Sequence, residues 1–258
     1  MEKIPKKIFI VPYRDRERFL YVYMNHMSWI LEDEKDPYEI IISHQNDTRP
    51  FNRGAMKNLG FMYAKKKYPD QYKNIIFIFQ DIDTMPGKKN MMNFNTTPGV
   101  VKHYFGYDYA LGGIFSIMGN DFERVNGFPN FWGWGFEDNT INDRCKNNKI
   151  IIDRSQMYSI SSKKILQYVT GPYRMVDNKA VHKLRTVSAH KGLSEITHIN
   201  TTIDELRPNI NKVNFTCWKI PEKHTDVTFR ADTQLHRVKD PVRGRNNLMN
   251  SIIHQKRK

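Results

Sequence analysis

The stretch Ile75–Ile82, which reads IIFIFQDI and is followed by Asp83, decides the architecture of this chain. An apolar run interrupted at Gln80 and closed by two aspartates predicts a buried strand whose last residues emerge at a sheet edge. Ligands of open α/β sheets bind outside the carboxyl ends of the strands. We therefore expect Asp81 and Asp83 in a crevice, where paired carboxylates suit a divalent cation and nucleotide phosphates. A plain strand end followed by a turn is the competing interpretation.

The segments before this strand repeat the order strand, polar turn, helix. Ile8–Val11 and Tyr38–Ser43 are short apolar runs, and a pattern with helical spacing follows each of them. Three strands alternating with two helices predict a single Rossmann-like nucleotide-binding domain of the α/β class. The chain contains neither G-X-G-X-X-G nor a P-loop, which disfavours a dinucleotide dehydrogenase and a P-loop ATPase.

The turn after the first strand combines an aromatic ring with cations. Tyr13 offers a ring face to a base, while Arg14 and Arg16 offer planar cations to phosphate or ribose. A solvated turn before a charged helix start explains the same residues. The turn is therefore a candidate nucleotide contact with a structural alternative.

The most unusual stretch, Gly127–Asn139, reads GFPNFWGWGFEDN. Glycines between tryptophans are costly inside a helix or strand, because each loses backbone entropy and packs nothing. They suit a flexible loop that presents aromatic rings to the apolar face of a sugar, with Glu137 and Asp138 available for its hydroxyls. Because a helix pattern follows, capping of that helix is the alternative explanation for the two acids.

Composition indicates the class of partner. The 258 residues carry a formal net charge of +14 and a pI near 9.6, so an anionic partner is expected. A nucleotide diphosphate and a nucleic acid both fit, but no nucleic-acid-binding motif makes the second specific. Two cysteines, Cys145 and Cys217, give no disulfide framework and fit a reducing compartment. Without a signal peptide or a membrane-spanning apolar run, a soluble cytoplasmic protein is expected.

The order and spacing of five motifs resemble the β-1,4-galactosyltransferase family, glycosyltransferase family 7. The motifs are Pro12–Arg16, Phe51–Arg53, Asp81–Asp83, Gly112-Gly113 and Gly127–Asp138. The resemblance implies a GT-A fold with a mixed central sheet and inverting transfer from a UDP-sugar to a hydroxyl of an acceptor glycan. It also implies Mn²⁺ or another divalent cation at the diphosphate. The missing secretory anchor and paired cysteines suggest a soluble viral or microbial member, with its domain over 1–220 and a basic C-terminal extension over 221–258.

Carried over residue by residue, the resemblance implies specific roles. The donor contacts are Pro12, Tyr13, Arg14, Arg16, Phe51, Arg53, Asp81, Ile82, Asp83, Gly113 and Trp134. The acceptor contacts are Trp134, Gly135, Glu137 and Asp138. Asp138 is the implied general base, and the implied metal ligands are Asp83 and Asp81, with His182 as a further candidate. These roles fit one in-line displacement, in which a carboxylate takes the proton of the attacking hydroxyl and a cation neutralises the departing diphosphate.

Three positions depart from the family pattern. Ala110 stands where galactose-specific members carry a tyrosine, so galactose or an N-acetylhexosamine is the expected donor sugar. Asn139 replaces a third acid after the implied base. Gln167 stands near the spacing of the family's histidine ligand, which leaves His182, His190, or carboxylates with phosphate and water as the partners of the metal. A catalytically inactive carbohydrate-binding protein and a basic nucleic-acid-binding protein are the alternative hypotheses.

Overall fold

The computed structural model describes residues 3–168, 174–186 and 191–232. The strands within these ranges are β1 Lys7–Tyr13, β2 Tyr38–Gln45, β3 Ile76–Gln80, β4 Thr84–Pro86, β5 Val100–Phe105, β6 Ile114–Met118, β7 Ile151–Asp153, β8 Ile165–Gln167, β9 Arg174–Asp177, β10 Thr197–Arg207, β11 Ile210–Lys219 and β12 Phe229–Asp232. The α-helices are α1 Glu17–Ile30, α2 Arg53–Lys67, α3 Gly119–Arg124, α4 Glu137–Asn147 and α5 Ala180–Thr186. The alternation of strand and helix up to β3 matches the order predicted from the sequence.

A mixed sheet forms the centre of the described part of the chain. Its eight strands have the order β10-β11-β2-β1-β3-β6-β5-β7. Strand β1 pairs in parallel with β2 and β3, whereas β6 pairs antiparallel with both β3 and β5. The carboxyl end of β3 therefore lies beside the start of β6, at the junction of the parallel and antiparallel parts. The predicted α/β class with a mixed central sheet is confirmed.

Apolar layers cover both faces of this sheet. Because successive strand residues point to opposite faces, β3 supplies Phe77 and Phe79 to one layer and Ile78 to the other. Helix α2 packs in the first layer and α1 in the second. The polar interruption at Gln80 is buried but paired, since its amide accepts from the Tyr23 hydroxyl at 2.9 Å and donates to a backbone carbonyl at 2.9 Å. Burial on both faces explains why the strand reads as a nearly continuous apolar run.

Some strands differ from the prediction. Thr84–Pro86, which the competing interpretation treats as part of a turn after β3, forms β4, which pairs antiparallel with β8. Strands β5 and β10 were not predicted, and β10 is mostly exposed along its length. As the edge strand of the sheet, β10 is held by its backbone ladder with β11, so its side chains carry little apolar pattern. The segment Val213–Ile220, VNFTCWKI, whose apolar residues predict a late strand, lies in β11 except for Ile220.

Residues beyond the predicted domain boundary at 220 contact the domain. The Trp132 indole nitrogen donates to the Glu222 carbonyl at 2.9 Å, and β12 pairs antiparallel with β9. The remainder of the predicted basic extension, 233–258, lies outside the described residues. The division into a domain over 1–220 and an extension over 221–258 stays a prediction.

Candidate active site

The two aspartates predicted at the end of the central strand leave the sheet beside the paired glycines. The Asp81 amide donates to the Gly113 carbonyl at 3.1 Å, across the gap between β3 and β6. Ile82 is buried and anchors the turn between the two carboxylates. The Asp83 carbonyl accepts from the Tyr168 amide at 2.9 Å, which places β8 next to the same turn. Asp81, Ile82, Asp83 and Gly113 therefore meet at one edge of the sheet.

The Arg53 guanidinium joins three carboxylates at this edge. Asn52 caps α2 by accepting from the Ala55 amide at 2.9 Å, so Arg53 is the first residue of the helix. Its Nη2 donates to both Asp81 oxygens at 2.8 Å, and its Nη1 lies 3.0 Å from Glu137 Oε1. Asp138 Oδ2 lies 3.7 Å from Nη2. The structure thus brings the predicted donor residues Arg53 and Asp81 together with the predicted acceptor residues Glu137 and Asp138.

Burial and neighbouring charge act differently on the carboxylates. Burial raises the pKa of Asp81, yet the Arg53 and Lys57 charges outweigh it and the pKa lies below its ordinary value. Burial and the Asp81 charge raise the pKa of Asp83 in spite of nearby Arg16. Burial also raises the pKa of Glu137, against the opposing charge of Arg53. A further cation beside Asp83 would favour its ionised form.

The Asp81 and Asp83 carboxylates are the candidate ligands of the divalent cation that the family resemblance implies. Two carboxylates supply hard oxygen donors, which Mn²⁺ accepts together with phosphate oxygens and water. Within the described ranges, no group of three or more His, Cys, Asp or Glu side chains is arranged to hold a metal. His182 is exposed on α5 and is not gathered with Asp81 and Asp83, and His190 lies outside the described residues. The oxygen donors that such a cation would use are the carboxylates of Asp81 and Asp83, which here accept from Arg53 and Arg16, together with substrate oxygens and water.

The residues of the first turn are divided between strand and crevice. Strand β1 continues past its predicted end at Val11, so Pro12 and Tyr13 are buried within it. Tyr13 is 5% exposed and its ring lies 5.0 Å from the His44 ring, so this ring face is covered rather than presented as a platform. Arg14 donates to the Arg49 carbonyl. Arg16, in contrast, reaches the predicted metal site, where its Nη1 donates to Asp83 Oδ2 at 2.9 Å.

The glycine-tryptophan loop gives its two tryptophans different environments. Trp132 is buried and stacks on Trp218, with ring centroids 5.2 Å apart. Trp134 is partly exposed, its amide donates to the Met175 carbonyl at 2.8 Å, and the Arg174 guanidinium lies 4.4 Å above its ring. Trp134 is therefore the more exposed of the two rings, while Trp132 belongs to the core.

The same loop is tied to the start of α2 and to its own acids. The Gly133 amide donates to the Phe51 carbonyl at 3.1 Å, and the Gly135 amide donates to Glu137 Oε2 at 3.2 Å. Glu137 is 3% exposed, and its Oε1 makes no well-directed hydrogen bond although Arg53 Nη1 lies 3.0 Å away. Glu137 thus serves the loop as a structural partner and pairs its other oxygen with Arg53.

Asp138 sits between α2 and the paired glycines. Its carbonyl accepts from the Leu111 amide at 2.9 Å, and its Oδ1 accepts from Lys57 Nζ at 3.0 Å. A Cβ atom on Gly112 would lie 2.5 Å from Asp138 Oδ2, so only glycine leaves room for the carboxylate. Sequence reasoning missed Lys57. Its signal was the spacing of four residues from Arg53, which places both side chains on one helix face.

His103 holds the paired glycines from behind. Its ring is buried, and Nε2 donates to the carbonyls of Phe105 at 2.9 Å and Gly112 at 3.0 Å. Arg154 Nε lies 3.2 Å from Nδ1, which assigns Nδ1 as the acceptor and His103 as the neutral tautomer. Burial, foremost, lowers the pKa of this imidazole to about 4.

This arrangement predicts a loss of stability in mild acid. In the unfolded chain His103 has the ordinary pKa of about 6.5, whereas in the folded chain its pKa is about 4. Between these two values the unfolded chain binds a proton that the folded chain does not bind. The contribution of neutral His103 to the free energy of unfolding is therefore complete above about pH 6.5 and is lost as the pH falls toward 4. The loss between pH 6.5 and 5 is about 2 kcal/mol. Urea unfolding of the parent and of His103→Gln at both pH values measures this. The glutamine amide still donates but does not titrate, so its loss should be smaller by about 2 kcal/mol; equal losses would contradict the assignment.

Two family models match consecutive parts of the chain. The N-terminal region of glycosyl transferase group 7 matches residues 3–95. The N-terminal domain of galactosyltransferase matches residues 96–169. Together they cover more than half of the chain and every site residue from Pro12 to Asp138.

Curated relatives agree with these matches. The chain is 27% identical to Beta-1,4-galactosyltransferase 5 of Sus scrofa over 226 residues, 82% of this chain and 56% of the relative. It is 29% identical to Xylosylprotein 4-beta-galactosyltransferase of Caenorhabditis elegans over 181 residues, 67% of this chain and 61% of the relative. The chain thus spans little more than half the length of these relatives.

A solved structure confirms the predicted fold. A mutant of Drosophila β-1,4-galactosyltransferase 7, in complex with manganese, UDP-Gal and xylobiose, matches with a TM-score of 0.65 and 20% identity. The match covers 86% of this chain and 97% of the solved chain. The chain has the GT-A fold. With two consecutive family models over residues 3–169, it belongs to the β-1,4-galactosyltransferase family, glycosyl transferase group 7.

Proposed function

We propose that this chain is an inverting, metal-dependent glycosyltransferase that moves a hexose from a UDP-sugar to a hydroxyl of an acceptor glycan. The observation that carries the proposal is the cluster formed by Arg53 with Asp81, Glu137 and Asp138 at the carboxyl end of β3. Family membership supports the reaction class. The manganese, UDP-Gal and xylobiose named for the Drosophila structure support the choice of metal, donor and acceptor class.

In this proposal Asp138 is the general base. The acceptor hydroxyl attacks the anomeric carbon on the face opposite UDP, and Asp138 takes its proton as the new C–O bond forms and the bond to the diphosphate breaks. Glu137 accepts a hydrogen bond from a second hydroxyl of the acceptor glycan, and Trp134 stacks on the sugar. The donor side is formed by Arg16, Arg53 and the aspartates of the Asp81–Asp83 turn. A divalent cation held by Asp81 and Asp83 with phosphate oxygens would neutralise charge on the departing diphosphate.

We propose galactose or an N-acetylhexosamine as the transferred sugar. Ala110 precedes Leu111, whose amide is bound to the Asp138 carbonyl at 2.9 Å, so position 110 lies close to the proposed base. A methyl group there occupies much less space than the tyrosine of galactose-specific members. The smaller side chain at this position supports a donor that carries an N-acetyl group as well as galactose itself.

No helix in the described ranges has both the length and the apolar character needed to cross a membrane. A cytoplasmic location and a viral or microbial origin stay predictions from the sequence.

A panel of UDP-sugars tests the proposed function. UDP release is measured with UDP-galactose and UDP-N-acetylhexosamines, with xylobiose and other short saccharides as acceptors. We expect turnover with at least one donor, lowered by at least about tenfold with EDTA and restored by Mn²⁺. Turnover unaffected by EDTA would contradict the metal. Retained sugar binding without turnover for any donor would favour the inactive carbohydrate-binding alternative instead.

A further inference from the structure

We infer that Lys57 is a positioning residue for Asp138: it holds one carboxylate oxygen so that the other is left to take the proton of the acceptor hydroxyl. The inference rests on the proposed function, because it assigns a partner to the proposed base. It starts from a lysine that is 1% exposed in the second turn of α2.

The surroundings of Lys57 are those of a paired buried charge. Its Nζ lies 3.0 Å from Asp138 Oδ1, 3.8 Å from Asp81 Oδ1 and 4.5 Å from the centre of the Phe128 ring. Removing an ammonium ion from water costs several kcal/mol, which attraction to a carboxylate offsets only when the geometry is good. An apolar side chain would fill this part of the helix without that cost. We therefore attribute the buried lysine to its ion pair with the Asp138 carboxylate.

Arg53 does not replace this contact. Its two bonds at 2.8 Å commit Nη2 to Asp81, and the same nitrogen is 3.7 Å from Asp138, beyond hydrogen-bond distance. Lys57 lies one helical turn further along α2 and makes the short bond to Asp138. The two cations of one helix face thus have separate partners, the donor-side aspartate and the base.

The contact gives the two Asp138 oxygens different roles. Oδ1 accepts the Lys57 hydrogen bond, which fixes the rotation of the carboxylate. Oδ2 lies against Gly112, 2.5 Å from where a Cβ atom would stand. Since Lys57 occupies Oδ1, Oδ2 is the oxygen left to accept the proton of the acceptor hydroxyl.

Steady-state kinetics of Lys57→Met test this role. Methionine keeps the unbranched shape and removes the charge. We expect kcat to fall by about 30-fold with KM values for donor and acceptor within about threefold, because orientation of the base matters in the chemical step. In an Asp138→Asn background the same substitution should have no further effect on kcat, since the group that it positions is absent.

Lys7→Met is the matched control. Lys7 is 2% exposed at the start of β1, away from the site, and its Nζ lies 2.7 Å from Glu34 Oε2. Its loss removes another buried lysine from an ion pair, so it should lower the melting temperature and leave kcat within about twofold of the parent. A Lys57→Met variant with parental kcat, or with an equal loss in both backgrounds, would overturn the inference.

A thermal-unfolding cycle keeps the inference testable if Lys57→Met folds poorly. The double variant Lys57→Met/Asp138→Asn removes both charges, so it should melt higher than Lys57→Met alone. No recovery would show that the two side chains do not interact and would overturn the inference. A parent protein without turnover for any donor would refute the transferase instead, while this cycle would still decide whether Lys57 and Asp138 interact.

Discussion

Asp138→Asn is expected to lower kcat by at least about 10³-fold while leaving the affinity for UDP within about threefold. The amide has the size of the carboxylate and still accepts from Lys57, but it cannot take a proton from the acceptor hydroxyl. UDP affinity should persist because the donor-side bonds of Arg53 and Arg16 go to Asp81 and Asp83. Steady-state UDP release measures the first quantity, and calorimetric titration with UDP measures the second.

Asp143→Asn on the same helix is the control for this prediction. Asp143 is exposed on α4, so neutralising it changes the helix charge equally without touching the crevice. Its kcat should stay near that of the parent. Comparable turnover in Asp138→Asn and the parent would exclude Asp138 as the base. A parallel loss of UDP binding would point to a structural role.

Gly112→Ala is expected to lower kcat by about 10²-fold, because misplacing a catalytic group by about 1 Å is enough for such a loss. The new Cβ atom would lie 2.5 Å from Asp138 Oδ2 and 3.0 Å from its Cγ. The backbones of Gly112 and Asp138 cannot easily move apart. His103 binds the Gly112 carbonyl at 3.0 Å, and the Leu111 amide binds the Asp138 carbonyl at 2.9 Å. The carboxylate must therefore turn away from its position.

Gly119→Ala separates this effect from general crowding. Gly119 is the first residue of α3, directly after the far end of β6, and a Cβ atom there would stand 2.0 Å from the Tyr72 carbonyl oxygen. This variant should lose thermal stability and keep its kcat, whereas Gly112→Ala should lose kcat with UDP binding retained. Parental kcat in Gly112→Ala would show that the carboxylate does not depend on the space that glycine leaves.

Local patterns account for what could be predicted. The apolar run that ends at Asp81 and Asp83 predicts β3 because burial on both faces needs such a run, whichever strands lie beside it. The acids at residues 137 and 138 precede a helical pattern, and α4 begins at Glu137. These features depend on neighbours in the chain, so the sequence contains the information needed to place them.

Contacts between distant segments account for what was missed. Tyr13 was expected to present its ring, but β1 continues through it and the ring packs on His44. Both tryptophans of the glycine-rich loop were expected to form a platform, but stacking on Trp218 takes Trp132 into the core. Periodicity cannot distinguish these outcomes, because each depends on a residue from another element.

The sequence by itself determined the α/β class, the strand that carries the aspartates, the helix that begins with the acids, and the family. Only the tertiary structure decided that one helix face supplies Arg53 to Asp81 and Lys57 to Asp138. Lys57 and Asp138 are 81 positions apart, and they meet because α2 and the start of α4 lie beside the same sheet edge. Hydrogen bonds and ion pairs act over a few ångströms in space, so their partners are set by packing rather than by spacing along the chain.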